Sequence, residues 1–336
     1  MLYPQSQLLL RNINDLTGKI LIIEPMADQL AAELAAEKLD VSCLTTDVAV
    51  ATAWQTQLPT TLTHEFKVDA VFDTVVLFYP KSKELLNYVL ARLRALLHDN
   101  SQVYLVGDNK GGIKSLANWA QKLGLHAHKL DNAKHCLWFA LNGLHQQTLT
   151  QSQMANFSLQ HGAFKFAFCS LPGVFNHGQL DQGTALLLEN LEHVQQGKVL
   201  DFACGAGIIG AALKLRNPQI QLFATDISAL AVASTRATFA LNQISAEVLA
   251  ADGLVTRLPS FDHIVSNPPF HTGLKTDLSI AEQFIQESKA KLNQLGTLTL
   301  VANAHLPYAE WLKANFGNVK ELARRQGFVV YISKKQ

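Results

Sequence analysis

The chain has 336 residues, 48% of them hydrophobic and 16% charged. This is a core-forming composition, unlike that of a disordered chain, and the length fits two domains of roughly 100–200 residues each. Lysine and arginine exceed aspartate and glutamate by 28 − 27 = 1. That excludes a broad polycation clamping nucleic acid by bulk charge, but leaves room for a local basic patch. The four cysteines, Cys43, Cys136, Cys169 and Cys204, form no CxxC pair. No disulfide framework, cysteine-rich zinc site or other metal site is expected, and a reducing, cytoplasmic setting is. The first ten residues have no basic stretch and too short an apolar run for a signal peptide, and no run of about 18 apolar residues predicts a membrane span.

In chain order, short β-rich runs alternate with helical patterns, which predicts βαβ units and mostly parallel sheets flanked by helices. Runs in the first half return in the second. Gly18-Lys-Ile-Leu-Ile-Ile matches Gly197-Lys-Val-Leu-Asp-Phe at an offset of 197 − 18 = 179. Thr46-Asp47 matches Thr225-Asp226 at 225 − 46 = 179, Phe72-Asp73 matches Phe261-Asp262 at 261 − 72 = 189, and Gln102–Val106 matches Thr297–Val301 at 297 − 102 = 195. The order is kept and the offset drifts as loop insertions would make it drift. The pattern predicts a tandem duplication of one Rossmann-like α/β unit, with domains at 1–145 and 161–336. A polar stretch without apolar periodicity, from Asn142 through Gln153, places the linker at 146–160, although an ordinary surface loop has the same composition.

In the second half, strands are predicted at Lys198–Asp201, Ile220–Ala224, Ala246–Leu249, His263–Ser266, Thr297–Val301 and Val329–Ile332. Helices are predicted at Ile208–Leu215, Ala229–Leu241 and Leu278–Leu292, with another opening at Asp181. Ser228 is a candidate cap, and Asn217-Pro218 stops the first of these helices. Ligands of such sheets sit beyond the carboxyl ends of the strands.

Four candidates lie there. The first strand ends at Asp201 and runs into Gly205 and Gly207, where glycines permit a tight turn and close approach to a ligand. Gly205-Ala-Gly207-Ile-Ile-Gly210 satisfies the dinucleotide pattern literally. Asp201, however, repels pyrophosphate and suits an ammonium group, which points to the methionine end of S-adenosylmethionine. Asp226, at the end of the next strand, is placed to accept ribose hydroxyls. Asp252 can accept from an adenine amino group or simply occupy an Asp-Gly turn. Ser266-Asn-Pro-Pro-Phe270 is the most specific. The Asn267 side-chain oxygen and the Pro268 carbonyl can accept two hydrogen bonds from one exocyclic amine, and Phe270 offers a face for stacking a base. Such acceptors make a conjugated amine a better nucleophile, and the rest of catalysis is positioning and electrostatics. A purely structural Pro-Pro turn is the bland alternative.

With these residues in place, the second half resembles a class I S-adenosylmethionine-dependent methyltransferase. The whole chain resembles the ribosomal RNA small subunit methyltransferase C family, guanine-N2 methyltransferases of 16S rRNA. The stretches that carry the likeness are Tyr79–Lys83, Val106–Ser115, Ala133–Cys136, Leu171–Phe175, Leu180–Leu188, Val199–Gly207, Ser266–Gly273 and Val301–Tyr308. The resemblance implies two tandem methyltransferase-like domains, of which only the second binds cofactor. It implies a target guanine flipped into the Asn-Pro-Pro-Phe pocket, on 16S rRNA or the 30S subunit, and a monomer. Gly183 and Thr184 would line the methionine end. The first half supports that division. It has Ile22, Met26 and Asp28 where the second has Asp201, Gly205 and Gly207, and Phe78-Tyr-Pro-Lys81 where the second has Asn-Pro-Pro-Phe. One departure stands out: Ala203 occupies a position where the family pattern has glycine, and it is expected to keep a negative φ.

Lys81, Lys83, Lys110 and Lys114 are candidate RNA contacts on first-half loops, although residues 1–150 carry 13 basic against 14 acidic side chains and solvated lysines explain them equally well. Lys165, His177, Arg324, Arg325 and Tyr79 are weaker cases. His126 and His128 read as surface strand residues, and Trp54, Trp119, Trp138 and Trp311 as core. Cys204 is in no Pro-Cys pair, which argues against covalent pyrimidine chemistry. Other amines remain open as targets: large-subunit rRNA, DNA adenine-N6 or a protein glutamine amide. A nicotinamide-dependent oxidoreductase and a catalytically dead RNA-binding module are the readings from other classes. Asp201 and the Asn-Pro-Pro-Phe motif weigh against the first, and the intact second-half motif against the other.

Overall fold

The computed structural model describes residues 1–150, 152–254, 257–268 and 275–336, and of residues 275–278 the backbone only. The chain divides into two compact units, Met1–Gln153 and Met154–Gln336.

In the first unit the strands are β1 (Lys19–Ile23), β2 (Asp40–Thr45), β3 (Thr60–Leu62), β4 (Phe72–Phe78), β5 (Leu97–Asp108), β6 (His126–Ala133) and β7 (Cys136–Asn142). They form one sheet in the order β3-β2-β1-β4-β5-β7-β6. Pairing is parallel through β5 and antiparallel where β7 meets β5 and β6. Helices α1 (Pro4–Arg11), α2 (Leu30–Ala36), α3 (Val48–Trp54), α4 (Lys83–Leu93) and α5 (Leu116–Lys122) complete the unit. Residues 20–23 of β1 and 75–78 of β4 read as continuous apolar runs because both faces of a parallel sheet are covered. Their residues Ile20, Ile22 and Val76 pack with Leu8 and Leu9 of α1, Trp54 and Trp138.

The second unit begins with a hairpin, β8 (Ala155–His161) and β9 (Phe164–Ser170), followed by α6 (Gln182–Leu188). Then come β10 (Lys198–Phe202), α7 (Ile208–Arg216), β11 (Gln221–Asp226), α8 (Ala229–Leu241), β12 (Glu247–Ala250), β13 (Phe261–Ser266), α9 (Lys275–Lys291), β14 (Leu292–Asn303), α10 (Tyr308–Phe316), β15 (Lys320–Arg325) and β16 (Phe328–Lys334). Their sheet order, β12-β11-β10-β13-β14-β16-β15, repeats that of the first unit. The hairpin is tied down by hydroxyls of α8: the Thr238 Oγ1 accepts the Cys169 N–H at 2.9 Å, and the Ser234 Oγ accepts the Leu171 N–H at 3.0 Å.

The duplication is visible bond by bond. Ile20 pairs with Thr74 and Val199 with His263, so the offset there is 263 − 74 = 189. Val75 pairs with Val103 and Ile264 with Leu298, giving 298 − 103 = 195. Gly197, at φ +87°, leaves room for the Asp262 carboxylate, which a Cβ would meet at 2.4 Å. That carboxylate accepts the Lys198 N–H at 2.7 Å. Gly18, at φ +67°, and Asp73 repeat the clamp on the Lys19 N–H. The recurring Gly-Lys and Phe-Asp pairs are thus one device used twice.

One repeat match is out of register. Ile20 pairs with Val41 and Val199 with Leu222, so the second strands are related by 222 − 41 = 181, not 179. Asp226 therefore corresponds to Thr45, and Asp47, which caps α3, corresponds to Ser228. The stretch read as linker at 146–160 ends in β8, because Phe157 and Leu159 alternate toward the unit-2 core. Helix α10 and strand β15 had no clear sequence signal. Trp54 and Trp138 are fully buried, whereas Trp119 and Trp311 are half-buried on the faces of short helices.

Candidate active site

The site is built at the carboxyl ends of β10, β11 and β13, where parallel strands leave their last carbonyls and the following loops free to meet a ligand. After β10 the chain turns through a left-handed residue, Ala203 (φ +56°), then Gly205 (φ +56°) and Gly207 (φ +76°). The expectation of a negative φ at Ala203 is wrong. The turn needs a left-handed residue there, as it does at Glu24 (φ +53°), the corresponding residue of the first unit at 203 − 24 = 179.

The three glycines do different work. A Cβ on Gly205 would meet nothing within 4 Å, so this residue faces open space. On Gly207 it would lie 3.0 Å from the Thr235 methyl, and on Gly210 3.0 Å from the Phe239 ring and 3.1 Å from Asp201 Oδ2. Gly207 and Gly210 are therefore packing glycines that bring α7 close to α8 and β10.

Two carboxylates hold this turn. Asp226, ending β11, accepts the Gly205 N–H at 3.0 Å with one oxygen and the Ser228 N–H at 2.9 Å with the other. Asp201 is fully buried; its Oδ2 accepts the Gly210 N–H at 2.8 Å and its Oδ1 has no partner among the described residues. Burial, with the Asp226 charge adding to it, pushes the Asp201 carboxyl up to about 7. Burial likewise pushes the Cys204 thiol well up, which leaves it inert as a nucleophile. The α8 hydroxyl of Thr235 donates to the Gly205 carbonyl at 3.0 Å, a support that the sequence did not reveal. An unpartnered buried carboxylate oxygen beside a second carboxylate, with open space at Gly205, fits a cofactor that carries positive charge.

Asn267 follows β13, whose last residue, Ser266, donates to the Phe202 carbonyl at 2.8 Å. The Asn267 Nδ2 donates to Asp181 Oδ2 at 3.0 Å and to Thr184 Oγ1 at 2.8 Å. Its Oδ1 is buried, with no partner among the described residues. Thr184 and Gly183, expected at the methionine end of a cofactor, are thus brought to Asn267. Pro268 is buried, and Phe270 lies outside the described residues. Asp252 is exposed on the turn after β12, and the neighbouring Gly253 (φ +69°) packs toward Glu287.

In the first unit, the loop after β1 is filled by its own side chains. The Glu24 carboxylate accepts from Thr45 Oγ1 at 3.2 Å and the Thr46 N–H at 3.1 Å. Trp54, at the α3 position that corresponds to Thr235 (235 − 54 = 181), is fully buried and donates to the Met26 carbonyl at 2.9 Å. Lys81, Lys110 and Lys114 are exposed after the neighbouring strands β4 and β5, and Lys83 is exposed as the first residue of α4. Tyr79 joins these loops, packing within 2.7 Å of where a Gly107 Cβ would be and 3.8 Å of where a Gly112 Cβ would be.

A doubly wound unit with a glycine turn, strand-end carboxylates and Asn-Pro-Pro after the fourth strand has the organisation of a methyltransferase. The Methyltransferase small domain model matches residues 165–332, and that of the Methyltransferase small domain N-terminal matches residues 6–160. The chain is 37% identical to the Ribosomal RNA small subunit methyltransferase C of Shewanella loihica over the full length of both. It is 41% identical to the protein of that name from Pseudoalteromonas translucida, over 78% of this chain and 77% of that one. The chain belongs to the ribosomal RNA small subunit methyltransferase C family. Among solved structures, the T. thermophilus 16S rRNA N2 guanine methyltransferase, determined in complex with AdoMet and guanosine, shares the fold at a TM-score of 0.86. It is 24% identical, and the likeness covers 99% of this chain and 92% of that one.

Two outcomes follow from the turn. An L-residue in the left-handed region costs about 1–2 kcal/mol, and glycine returns part of that gain by loosening the unfolded chain. Ala203→Gly should therefore raise the unfolding free energy by about 0.5–1 kcal/mol in denaturant titration; a loss of stability would contradict the strain. The Asp201 carboxyl ionises near 3.9 when unfolded and near 7 when folded. The folded state thus holds an extra proton between those values, and its stability falls as pH rises through that window. Asp201→Asn should flatten that part of the stability profile, and an unchanged slope would refute the assignment.

Proposed function

We propose that the chain transfers a methyl group from S-adenosylmethionine to the exocyclic N2 amine of a guanine in 16S rRNA, free or within the 30S subunit. The observation that carries this reading is the buried, unpartnered Oδ1 of Asn267, an acceptor held ready at the end of β13. Family membership and the names of its relatives supply the substrate.

Asp201, Gly205, Gly207, Asp226 and Asp252 hold the cofactor, the carboxylates matching its cationic and hydroxyl groups. When bound, it supplies an electrophilic methyl group on a sulfonium. The guanine is flipped from its stack to reach the site. Asn267 Oδ1 and the Pro268 carbonyl accept the hydrogens of its N2 amine, Phe270 stacks on the base, and electron density shifts onto the nitrogen. Held there, the amine nitrogen would face the methyl group, and transfer would release as a proton one of the two hydrogens held by Asn267 Oδ1 and the Pro268 carbonyl. Alignment and charge placement provide the acceleration. The first unit, which has Ile22, Met26 and Thr45 where the second has Asp201, Gly205 and Asp226, supports the catalytic unit and contacts RNA phosphates through Lys81, Lys83, Lys110 and Lys114.

Purified protein with labelled S-adenosylmethionine, 30S subunits, naked rRNA and DNA should place label in N2-methylguanosine of 16S rRNA. Label confined to protein or to N6-methyladenine overturns the reading. Asn267→Ala should lower turnover on the order of 100-fold while cofactor affinity changes less than about threefold; equal losses would make Asn267 a cofactor or structural residue. Replacing Lys81 and Lys110 by alanine should lower the slope of log affinity for RNA against log salt by roughly 0.7–0.9 per lost phosphate contact. An unchanged slope removes those lysines from the RNA surface.

A further inference from the structure

We infer that Asp181 is a positioning residue that sets which way the Asn267 amide faces, and so decides whether an acceptor or a donor meets the substrate amine. The inference rests on the amine-methyltransferase reading above. An asparagine amide is nearly symmetric in shape, and its orientation is decided by its hydrogen-bond partners. An ionised carboxylate only accepts. Asp181 Oδ2, 3.0 Å from Asn267 Nδ2, therefore requires the NH2 end of the amide on its side. Thr184 Oγ1 accepts at 2.8 Å from the same nitrogen, so the hydrogens of the NH2 have both been given away. The flipped amide would set Oδ1 against the carboxylate. What remains for the substrate side is the buried Oδ1 with no partner.

The surrounding residues are shaped for this bond. Asp181 precedes α6, and the same Oδ2 accepts the Thr184 N–H at 3.0 Å, which fixes the carboxylate and brings the Thr184 hydroxyl to the same nitrogen. Gly183 leaves the space: a Cβ there would lie 2.9 Å from Asp181 Oδ2 and 3.0 Å from the Phe328 ring. The order Asp181, Gly183, Thr184 thus serves the amide 83–86 residues further along the chain.

Asp181→Ser keeps a capping residue before α6 but withdraws the carboxylate from the Asn267 amide. It should lower kcat roughly 10-fold or more, with cofactor affinity within about threefold and an unfolding midpoint close to that of the unsubstituted protein. Asn267→Asp alone sets two carboxylates face to face and should lose more activity than the double variant Asp181→Ser/Asn267→Asp, which removes that repulsion and keeps an acceptor for the substrate. A kcat for Asp181→Ser within twofold of the unsubstituted protein overturns the inference, as does a kcat loss matched by lost cofactor affinity or stability. A substrate-free measurement keeps the test separate from the choice of RNA. The Asn267 Nδ2 protons, assigned by their absence in Asn267→Asp, should exchange slowly in the unsubstituted protein and faster in Asp181→Ser; equal exchange overturns the inference. Failure of the unsubstituted protein to methylate 16S rRNA, with this exchange difference intact, would count against the substrate and not against Asp181.

Discussion

The Asp226 carboxylate is the constraint on which the second unit depends. It joins three pieces that the chain otherwise leaves separate: the end of β11, the glycine turn after β10 and the start of α8. Its two oxygens satisfy two backbone N–H groups, one in the turn and one before α8, that lack partners in the regular structure. With the Gly205 N–H fixed, the turn follows its left-handed path, Thr235 closes on the Gly205 carbonyl, and Gly210 rests on Asp201. The cost is a second carboxylate, Asp201, buried nearby with one oxygen that has no partner among the described residues.

The first unit builds the same framework with a different link. Thr45 stands at the sheet position of Asp226, and the carboxylate comes from the opposite side, from Glu24 in the loop, which accepts from Thr45 and Thr46. A link between the same two loops survives with donor and acceptor exchanged. Trp54 then fills the place where Thr235 supports the glycine turn. Glu24 is also pushed up, to about 7, by burial, so each unit carries one strained carboxyl near the end of its first strand. The two units differ by such local replacements while the sheet order is unchanged.

Much of this was legible in the sequence because it depends on local rules. Gly-Lys and Phe-Asp pairs marked the clamps, apolar runs marked the parallel strands, and Ala229–Leu241 was delimited by its periodicity. The family resemblance rested on contiguous motifs. What the sequence hid are bonds between distant segments. Nothing local says that Asp181 reaches Asn267, that Thr235 reaches Gly205, or that Trp54 and Thr235 are counterparts. The second-strand repeat slipped by two residues because Thr-Asp occurs near both strand ends, and only pairing with the first strand resolves which Asp is equivalent. Ala203 was misjudged because alanine argues for a negative φ, and the turn overrides that preference.

In the proposed function an acceptor in the second unit meets the N2 amine of a guanine. The direct measurement is a structure of the protein with a non-transferring cofactor analogue and guanosine. The guanine amine should lie at about 3 Å from Asn267 Oδ1, with the Asn267 NH2 still on Asp181 and the cofactor analogue along Gly205. Guanosine bound in the first unit, or bound in the second with its N2 turned away from Asn267, would contradict it.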